Sequence, residues 1–367
     1  MSTNTAAIAT GSTDKNLTTI ANVAIPIVPK DGLLVKGVAY ATNPTDWKHL
    51  VYKMGGKGVR LGSDAAGIVE EVGSNVQDFK KGDYVSTFMR GNINDNNGAF
   101  SDYFIAEPNT TIKYNKQSFN NEALKVGKSP SDKLNTFEGA ASVTLGLATI
   151  GVSLGHHLAI PTDKSVNAGK FILIWGGATA TGFLAIQVAK LVYGLKVITT
   201  ASKKHNESLS SIGADYVFDY NDAEVVNQIK KVGGSNIKYG LDCVSNQETF
   251  QALYDATSET SEVNLDNLLC LGAKDIKTDP SRKVKYGDTM VYVVDGNDTQ
   301  FAGIPVKSSP ELVSDYRKFW KNLLPPVMDQ IVSTKLRVLK PGFESVEEAF
   351  SLLRENKVSC EKIVFRS

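Results

Sequence analysis

An apolar run, Phe171-Ile-Leu-Ile-Trp175, passes straight into Gly176-Gly-Ala-Thr-Ala-Thr-Gly182 and then into Phe-Leu-Ala-Ile-Gln-Val-Ala-Lys190. Continuous apolar character over a strand length suits a position buried on both faces, the central place in a parallel sheet. The small residues after it predict a tight turn, and the spacing beyond predicts a helix over 182–193. A strand, a glycine turn and a helix in that order offer free backbone N–H groups and the positive end of a helix dipole to an anion above residues 176–182. The dinucleotide fingerprint Gly-x-Gly-x-x-Gly has this layout, except that Thr179 stands where the middle glycine is expected. Gly176 and Gly177 can form the turn and Gly182 can let the helix approach the strand. The hydroxyls of Thr179 and Thr181 can donate to phosphate where close backbone approach is lost. Gly177, Thr179, Ala180, Thr181 and Gly182 are therefore expected to hold a pyrophosphate. A strand-turn-helix that binds no nucleotide remains the alternative for this loop taken alone.

The next strand, KVITTA, separates the two nicotinamide dinucleotides. Sites selective for NAD carry an acid about 20 residues beyond the loop for the ribose 2′-hydroxyl. Here the chain reads Thr199-Thr200-Ala201-Ser202-Lys203-Lys204-His205, with no acid. A hydroxyl and two ammonium groups suit a 2′-phosphate, which a carboxylate would repel. NADPH is the expected cofactor, and an exposed basic turn is the alternative for the lysine pair alone.

A chain of 367 residues exceeds one ordinary core and suits two domains. Residues 1–143 are rich in short β-type runs between Gly, Pro and Asn turns, which predicts a mostly β domain. From 144 to 309 strands alternate with helices, which predicts a doubly wound parallel sheet. Residues 310–367 read as a helix to the Pro325-Pro326 break, then strand, helix, strand, and are expected to return to the first domain. The fold class is α/β.

Forty Lys and Arg against 39 Asp and Glu give a net charge of +1, so no global field draws the chain to nucleic acid or a lipid surface. No leader of the secretory type and no run of about 18 apolar residues is apparent, so a membrane partner is not expected and the cytoplasm is. Cys243, Cys270 and Cys360 are scattered, and with His49, His156, His157 and His205 they lack any recognisable zinc-ligand spacing. The expected metal content is none. An edge strand near VYVVDG, 291–296, would allow a homodimer.

Five stretches together resemble the medium-chain dehydrogenase/reductase superfamily over nearly the whole chain: NPTDWKH at 43–49, LGSDAAGIVEEVGSNVQDFKKGDYV at 61–85, GAFSDYF at 98–104, the loop at 171–190 and VSCEKIVF at 358–365. Zinc alcohol dehydrogenases of that superfamily have Gly-His-Glu and Cys-Gly-Thr-Asp elements. This chain has Gly62-Ser63-Asp64 and Pro44-Thr45-Asp46 at those places. It is more similar to the zinc-independent branch, the quinone oxidoreductases and the fungal trans-acting enoyl reductases. The resemblance implies a GroES-like β domain and a Rossmann domain that bind NADPH. It implies that Thr45, Asp46, Trp47 and Lys48 lie beside the nicotinamide and that Ser202, Lys203, Lys204 and His205 hold phosphate. Tyr220 would flank the adenosine, and Leu271, Gly272 and Ser359 would lie near the nicotinamide ribose or carboxamide.

The activity implied is hydride transfer to a small carbonyl compound: an α,β-unsaturated carbonyl, a quinone or an aldehyde. Such a reaction needs a donor where the carbonyl oxygen gathers charge. Lys48 is the expected donor. Thr144 resembles a substrate-contacting threonine of the enoyl reductases, and Thr149 resembles a nicotinamide-facing one. Direct aldehyde reduction at the C=O bond is the close alternative, and an NADPH-binding regulatory protein without turnover is another. No docking segment for a polyketide synthase stands out. The cleft lining is expected from loops such as 89–100.

Overall fold

The computed structural model describes residues 3–93, 97–301 and 303–367. Its chain divides into two compact units. Residues 1–145, 300–304 and 329–367 make one, and residues 146–299 and 305–328 make the other. The helix Pro310–Lys318 therefore belongs to the second unit, and apart from the short piece 300–304 the chain returns to the first at 329 rather than at the expected 310.

The first unit is a β structure. Its main sheet runs, in spatial order, Thr111–Tyr114, Tyr84–Phe88, Asp64–Val72, Leu33–Ala41, Glu361–Arg366, Lys335–Val338, Gly127–Ser129. Leu33–Ala41 is the spine. Asp64–Val72 pairs along one of its edges, while the other is shared between Tyr103–Ala106 at Leu33–Lys36 and the last strand at Ala39–Ala41. Leu33 and Val35 point into a core with Phe100, Phe104, Phe343 and Phe365, and a register shift between Gly37 and Ala39 turns Tyr40, out of phase with them, to the same side. The Tyr40 ring stacks on Phe365 at 5.2 Å and meets Phe343 at the same separation, and its hydroxyl donates to the Ser101 carbonyl at 3.1 Å.

The C-terminal segment completes this sheet by strand, helix and strand. Lys335–Val338 and Glu361–Arg366 pair in parallel through the helix Ser345–Arg354. Arg366 fastens the end of the chain. Its guanidinium holds both oxygens of the fully buried Glu138 carboxylate, at 2.7 and 3.0 Å. A planar fork matched to a carboxylate is the strongest form of such a pair.

The second unit carries the doubly wound sheet. Six parallel strands lie in the order Tyr216–Phe218, Lys196–Thr200, Phe171–Trp175, Ile237–Asp242, Glu262–Asn267, Lys283–Tyr286. Numbered along the unit this is 3-2-1-4-5-6, the dinucleotide-binding order, whose switch point lies between Phe171–Trp175 and Ile237–Asp242. Phe171–Trp175 is buried at every residue, as its uninterrupted apolar character requires. The helix after it spans Ala180–Leu191, two residues earlier than the spacing suggests, because Thr179 caps it.

Two expectations change. The segment Val291–Val293 is a 3-10 turn, so the edge strand expected near 291–296 is not formed, and Lys283–Tyr286 ends the sheet instead. Residues 137–157 form a helical run long and apolar enough to cross a membrane by length and composition, although none was apparent in the sequence. Of an 18-residue apolar stretch within that run 89% is buried inside the protein, the environment of a core helix.

Replacing Arg366 by Met should cost about 3 kcal/mol or more, since removing one partner strands a buried charge. Denaturant unfolding of Arg366→Met and of Glu138→Gln checks this, and loss of under about 1 kcal/mol in both would show that the pair does not anchor the chain end.

Candidate functional site

The candidate side chains fall into two groups, one on each unit. In the first unit Asn43 caps the short helix Pro44–Val51, and its backbone N–H donates to Asp46 Oδ2 at 2.7 Å. Asp46 Oδ1 accepts from Ser63 Oγ at 2.7 Å and from Asn92 Nδ2 at 2.9 Å. On the other side of Asn43, its amide donates to Asp64 Oδ2 at 2.9 Å, and the ammonium of Lys362 donates to its Oδ1. Lys362 Nζ lies 3.6 Å from Asp64 Oδ2, and the Leu145 N–H donates to Asp64 Oδ1 at 2.8 Å. All of these side chains are buried.

Burial dominates the protonation behaviour of this network. It raises Asp46 to about 6, against the lowering effect of the Ser63, Asn43 and Asn92 hydrogen bonds. It also raises Asp64, opposed first by the charge of Lys362. His49 is pushed down to about 4 by burial and then by the charge of Arg90. Its Nε2 is 2.8 Å from Thr45 Oγ1.

Asp46 is therefore a brace beneath the helix and does not present itself beside a nicotinamide. It has no exposed surface, and Asn43, Ser63 and Asn92 engage its oxygens. Thr45, Trp47 and Lys48 are only half-buried. Lys48 makes no ion pair among the described residues, and its ammonium stands 5.9 Å from the centroid of the Trp47 ring. The indole N–H of Trp47 is buried with no acceptor among the described residues.

Thr144 also departs from expectation. It is fully buried, and its hydroxyl donates to Ser86 Oγ at 2.7 Å, which in turn is 2.9 Å from the Tyr114 hydroxyl. A hydroxyl so committed stiffens the start of the helix Thr144–Val152 and is not open to a substrate. Of the loop at 89–100, residues 94–96 lie outside the described residues.

In the second unit the loop after Phe171–Trp175 is held by the neighbouring strand. Gly176 N–H donates to Thr200 Oγ1 at 3.0 Å and Gly177 N–H to the Thr200 carbonyl at 2.9 Å. Gly176 has φ +85°, the left-handed region, and a Cβ there would stand 2.7 Å from Val244 Cγ2, at the end of the fourth strand. A Cβ on Gly182 would stand 2.3 Å from the Gly176 carbonyl oxygen, so the helix approaches the strand end only with glycine there.

Thr179 Oγ1 accepts from Gly182 N–H at 3.0 Å and donates to the Gly176 carbonyl at 2.8 Å. Its proton is spent inside the turn, so the expectation that this hydroxyl donates to phosphate is corrected: Thr179 caps the helix. The N–H groups of Ala180 and Thr181 open the helix and have no intrahelical acceptor by construction. Both residues are half-exposed, and Thr181 keeps its hydroxyl unengaged among the described residues. This cradle fits a pyrophosphate.

Past the second strand, Ser202 caps the 3-10 turn Lys203–His205 and its Oγ is 3.0 Å from the hydroxyl of Tyr220. Lys203 and Lys204 are exposed and make no ion pair among the described residues, and His205 is half-buried. Farther along the sheet, buried Asn267 shapes the loop that holds Leu271 and Gly272. Its Oδ1 accepts from Leu271 N–H at 2.9 Å, and its Nδ2 donates back to the Leu271 carbonyl at 2.8 Å. Thr149 is half-buried on Thr144–Val152, and Ser359 is exposed just before the last strand.

Known proteins match both units. Residues 29–116 fit the alcohol dehydrogenase GroES-like domain and residues 180–265 the zinc-binding dehydrogenase family. The chain is 36% identical over 353 residues to the Saccharomyces cerevisiae protein YNL134C, covering 94% of this chain and 93% of that one. It belongs to the medium-chain dehydrogenase/reductase superfamily. Within this superfamily it is 30% identical over 371 residues to trans-enoyl reductase FSL5 of Gibberella zeae, covering 97% and 95% of the two chains. The quinone oxidoreductase of Coxiella burnetii has the same fold, with a TM-score of 0.67 over the whole of both chains at 20% identity. The protein is thus an oxidoreductase of a superfamily that uses a nicotinamide cofactor. The family model is named for zinc, yet the described residues contain no group of three or more His, Cys, Asp and Glu placed to hold a metal ion.

Sequence reasoning missed Asn43, Asn92 and Lys362. The one signal was a lysine inside an otherwise apolar terminal strand, Lys362-Ile-Val-Phe365, where the pattern expects burial.

His49 gives a pH test. Its folded-state value lies below the ordinary 6.5, so its contribution to stability is complete above pH 6.5 and is lost as pH falls through about 4. Asp46, raised, acts in the opposite sense, losing its contribution as pH rises through about 6. Between pH 7 and pH 4 the wild type should lose about 3 kcal/mol more than His49→Asn. Urea unfolding at each pH measures it, and parallel profiles would mean that His49 is solvated.

Proposed function

We propose that this protein is an NADPH-dependent, zinc-independent reductase of small α,β-unsaturated carbonyls, with quinones and aldehydes as related acceptors. The observation that carries the cofactor assignment is the turn after the second strand, where Ser202 stands with Lys203 and Lys204, which make no ion pair among the described residues, and no acid follows the strand directly. A dianionic phosphate would gain charge-assisted bonds there, and a bare ribose hydroxyl would find no carboxylate to accept from it.

When bound, the reduced nicotinamide would supply a hydride. Ala180 and Thr181 would hold the pyrophosphate through their N–H groups, and Tyr220 would flank the adenosine. Leu271, Gly272, Thr149 and Ser359 are the expected neighbours of the nicotinamide and its ribose. Lys48 would place an ammonium where the carbonyl oxygen of the acceptor gathers negative charge, an electrostatic task suited to a half-buried cation without a carboxylate partner among the described residues. Asp46 and Asn43 fix the helix that presents it. The trans-enoyl reductase relative supports reduction of a C=C bond. The same ammonium would stabilise an alkoxide, which keeps reduction of the C=O bond as the second reading.

The cofactor assignment predicts that Lys203→Ala/Lys204→Ala lowers the NADPH over NADH preference at least tenfold, about 1.4 kcal/mol. Equilibrium titration of both coenzymes measures it, and an unchanged ratio removes the assignment. Lys48→Ala should bind NADPH within about twofold of wild type and lose at least a hundredfold in kcat/KM, the scale of one lost transition-state donor. With cinnamaldehyde as acceptor, the saturated aldehyde is the expected product, whereas cinnamyl alcohol would establish the second reading.

A further inference from the structure

In the first unit the loop 89–93 crosses two other parts of the chain with little room to spare. A Cβ on Gly91 would stand 1.9 Å from the Gly62 carbonyl oxygen. One on Gly55, just past the helix Pro44–Val51, would stand 2.1 Å from the Asn92 carbonyl oxygen. At this crossing Asn92 has φ +71°, the left-handed region, and no exposed surface. Glycine adopts that conformation freely, and asparagine and aspartate tolerate it better than most residues.

Hydrogen bonds show what the position needs beyond its backbone. Asn92 Oδ1 accepts from Gly62 N–H at 2.8 Å, which fixes the orientation of the amide. Its Nδ2 then donates to Asp46 Oδ1 at 2.9 Å and to Ser63 Oγ at 3.2 Å, while the Ser63 hydroxyl donates to the same Asp46 oxygen at 2.7 Å. Both the acceptor and the donor end of the amide are thereby engaged. Glycine would fit the backbone but leave Gly62 N–H without this acceptor. Aspartate would accept from Gly62 but turn a second carboxylate on Asp46. Of these three residues only asparagine meets both demands.

Asp46 is the third residue of a helix of eight. A helix that short is marginal by itself and takes its position from tertiary contacts. The Asn92 amide joins the loop to this helix at Asp46, and Arg90 of the same loop lies close enough for its charge to act on His49. Lys48 stands between these two points in the sequence. A shift of about 1 Å in a reacting group can cost on the order of a hundredfold in rate.

We propose that Asn92 is a positioning residue for the reductase reaction, fixing through Asp46 the helix whose Lys48 ammonium meets the carbonyl oxygen of the acceptor. The inference rests on the reductase reading above. Asn92 itself touches neither acceptor nor cofactor in this role. Its loss therefore falls on the step in which charge develops, and the affinity for NADPH, carried mainly by loops of the second unit, changes little.

Asn92→Gly keeps the left-handed backbone and removes the amide. With NADPH and cinnamaldehyde it should lose about tenfold or more in kcat, while KM for cinnamaldehyde and Kd for NADPH stay within about twofold of wild type, the pattern of an interaction used in the transition state. In a Lys48→Ala background the same substitution should cost less than about twofold, because Asn92 acts through Lys48. A loss caused by a smaller folded fraction would be the same in both backgrounds. Asn92→Asp should also lose about tenfold or more. Asp46→Asn/Asn92→Asp exchanges donor and acceptor across the contact and should recover to within about threefold of wild type. The inference is overturned by wild-type kcat in Asn92→Gly, by equal losses with and without Lys48, or by an exchanged pair that stays as slow as Asn92→Asp. Absence of NADPH oxidation by the wild type with any enal, quinone or aldehyde removes the reductase reading itself, and the role of Asn92 with it.

Discussion

Asp64 and Lys362 leave water together, and the arrangement of the first unit follows from what they must find there. A carboxylate and an ammonium in an apolar interior persist only if further hydrogen bonds satisfy them, because desolvation of each costs several kcal/mol. Asn43 meets both needs at once, donating to Asp64 and accepting from Lys362, and the Leu145 N–H supplies another donor. Three distant parts of the chain are thereby pinned: the cap of the helix that bears Lys48, the start of the helix after residue 143, and the last strand. Strand pairing alone would allow the terminal segment to slip. A buried charge pair does not, since a shifted register would leave both charges unmatched.

The second unit solves a different problem with neutral groups. Its first strand must end where a helix begins, close enough that only glycine fits at 176 and 182, yet with the first helical N–H groups left without an intrahelical acceptor. Thr179 resolves the conflict by closing the turn on itself. Where the fingerprint has a glycine, this chain has a residue whose hydroxyl accepts one N–H and donates to one carbonyl. The departure from the motif is a cap in place of a bare turn, and the anion cradle survives because the N–H groups it needs belong to Ala180 and Thr181.

Charge placement distinguishes the two groups of candidate side chains. In the first unit Asp46 and Asp64 are buried and satisfied, while Lys48 remains half-exposed with no carboxylate partner among the described residues. In the second unit Lys203 and Lys204 likewise make no ion pair among the described residues, beside a serine and a tyrosine. Cations without partners at such places hold their charge available for an anion or for charge that develops during a reaction. A net charge near zero gives no hint of this, since it is the local pairing and not the sum that decides.

The sequence by itself determined the architecture. The apolar run 171–175, the glycines beside it, the alternation of strands and helices, and the absence of an acid after Thr200 are local patterns, readable because strand burial and helix starts depend on neighbours in the chain. What only the tertiary structure decided are the roles that depend on distant partners. Asp46 and Thr144 look available in sequence, but Ser63, Asn92 and Ser86 take up their hydrogen bonds. Hydrogen bonding saturates and acts across folded distance, so which polar groups remain free is settled by packing.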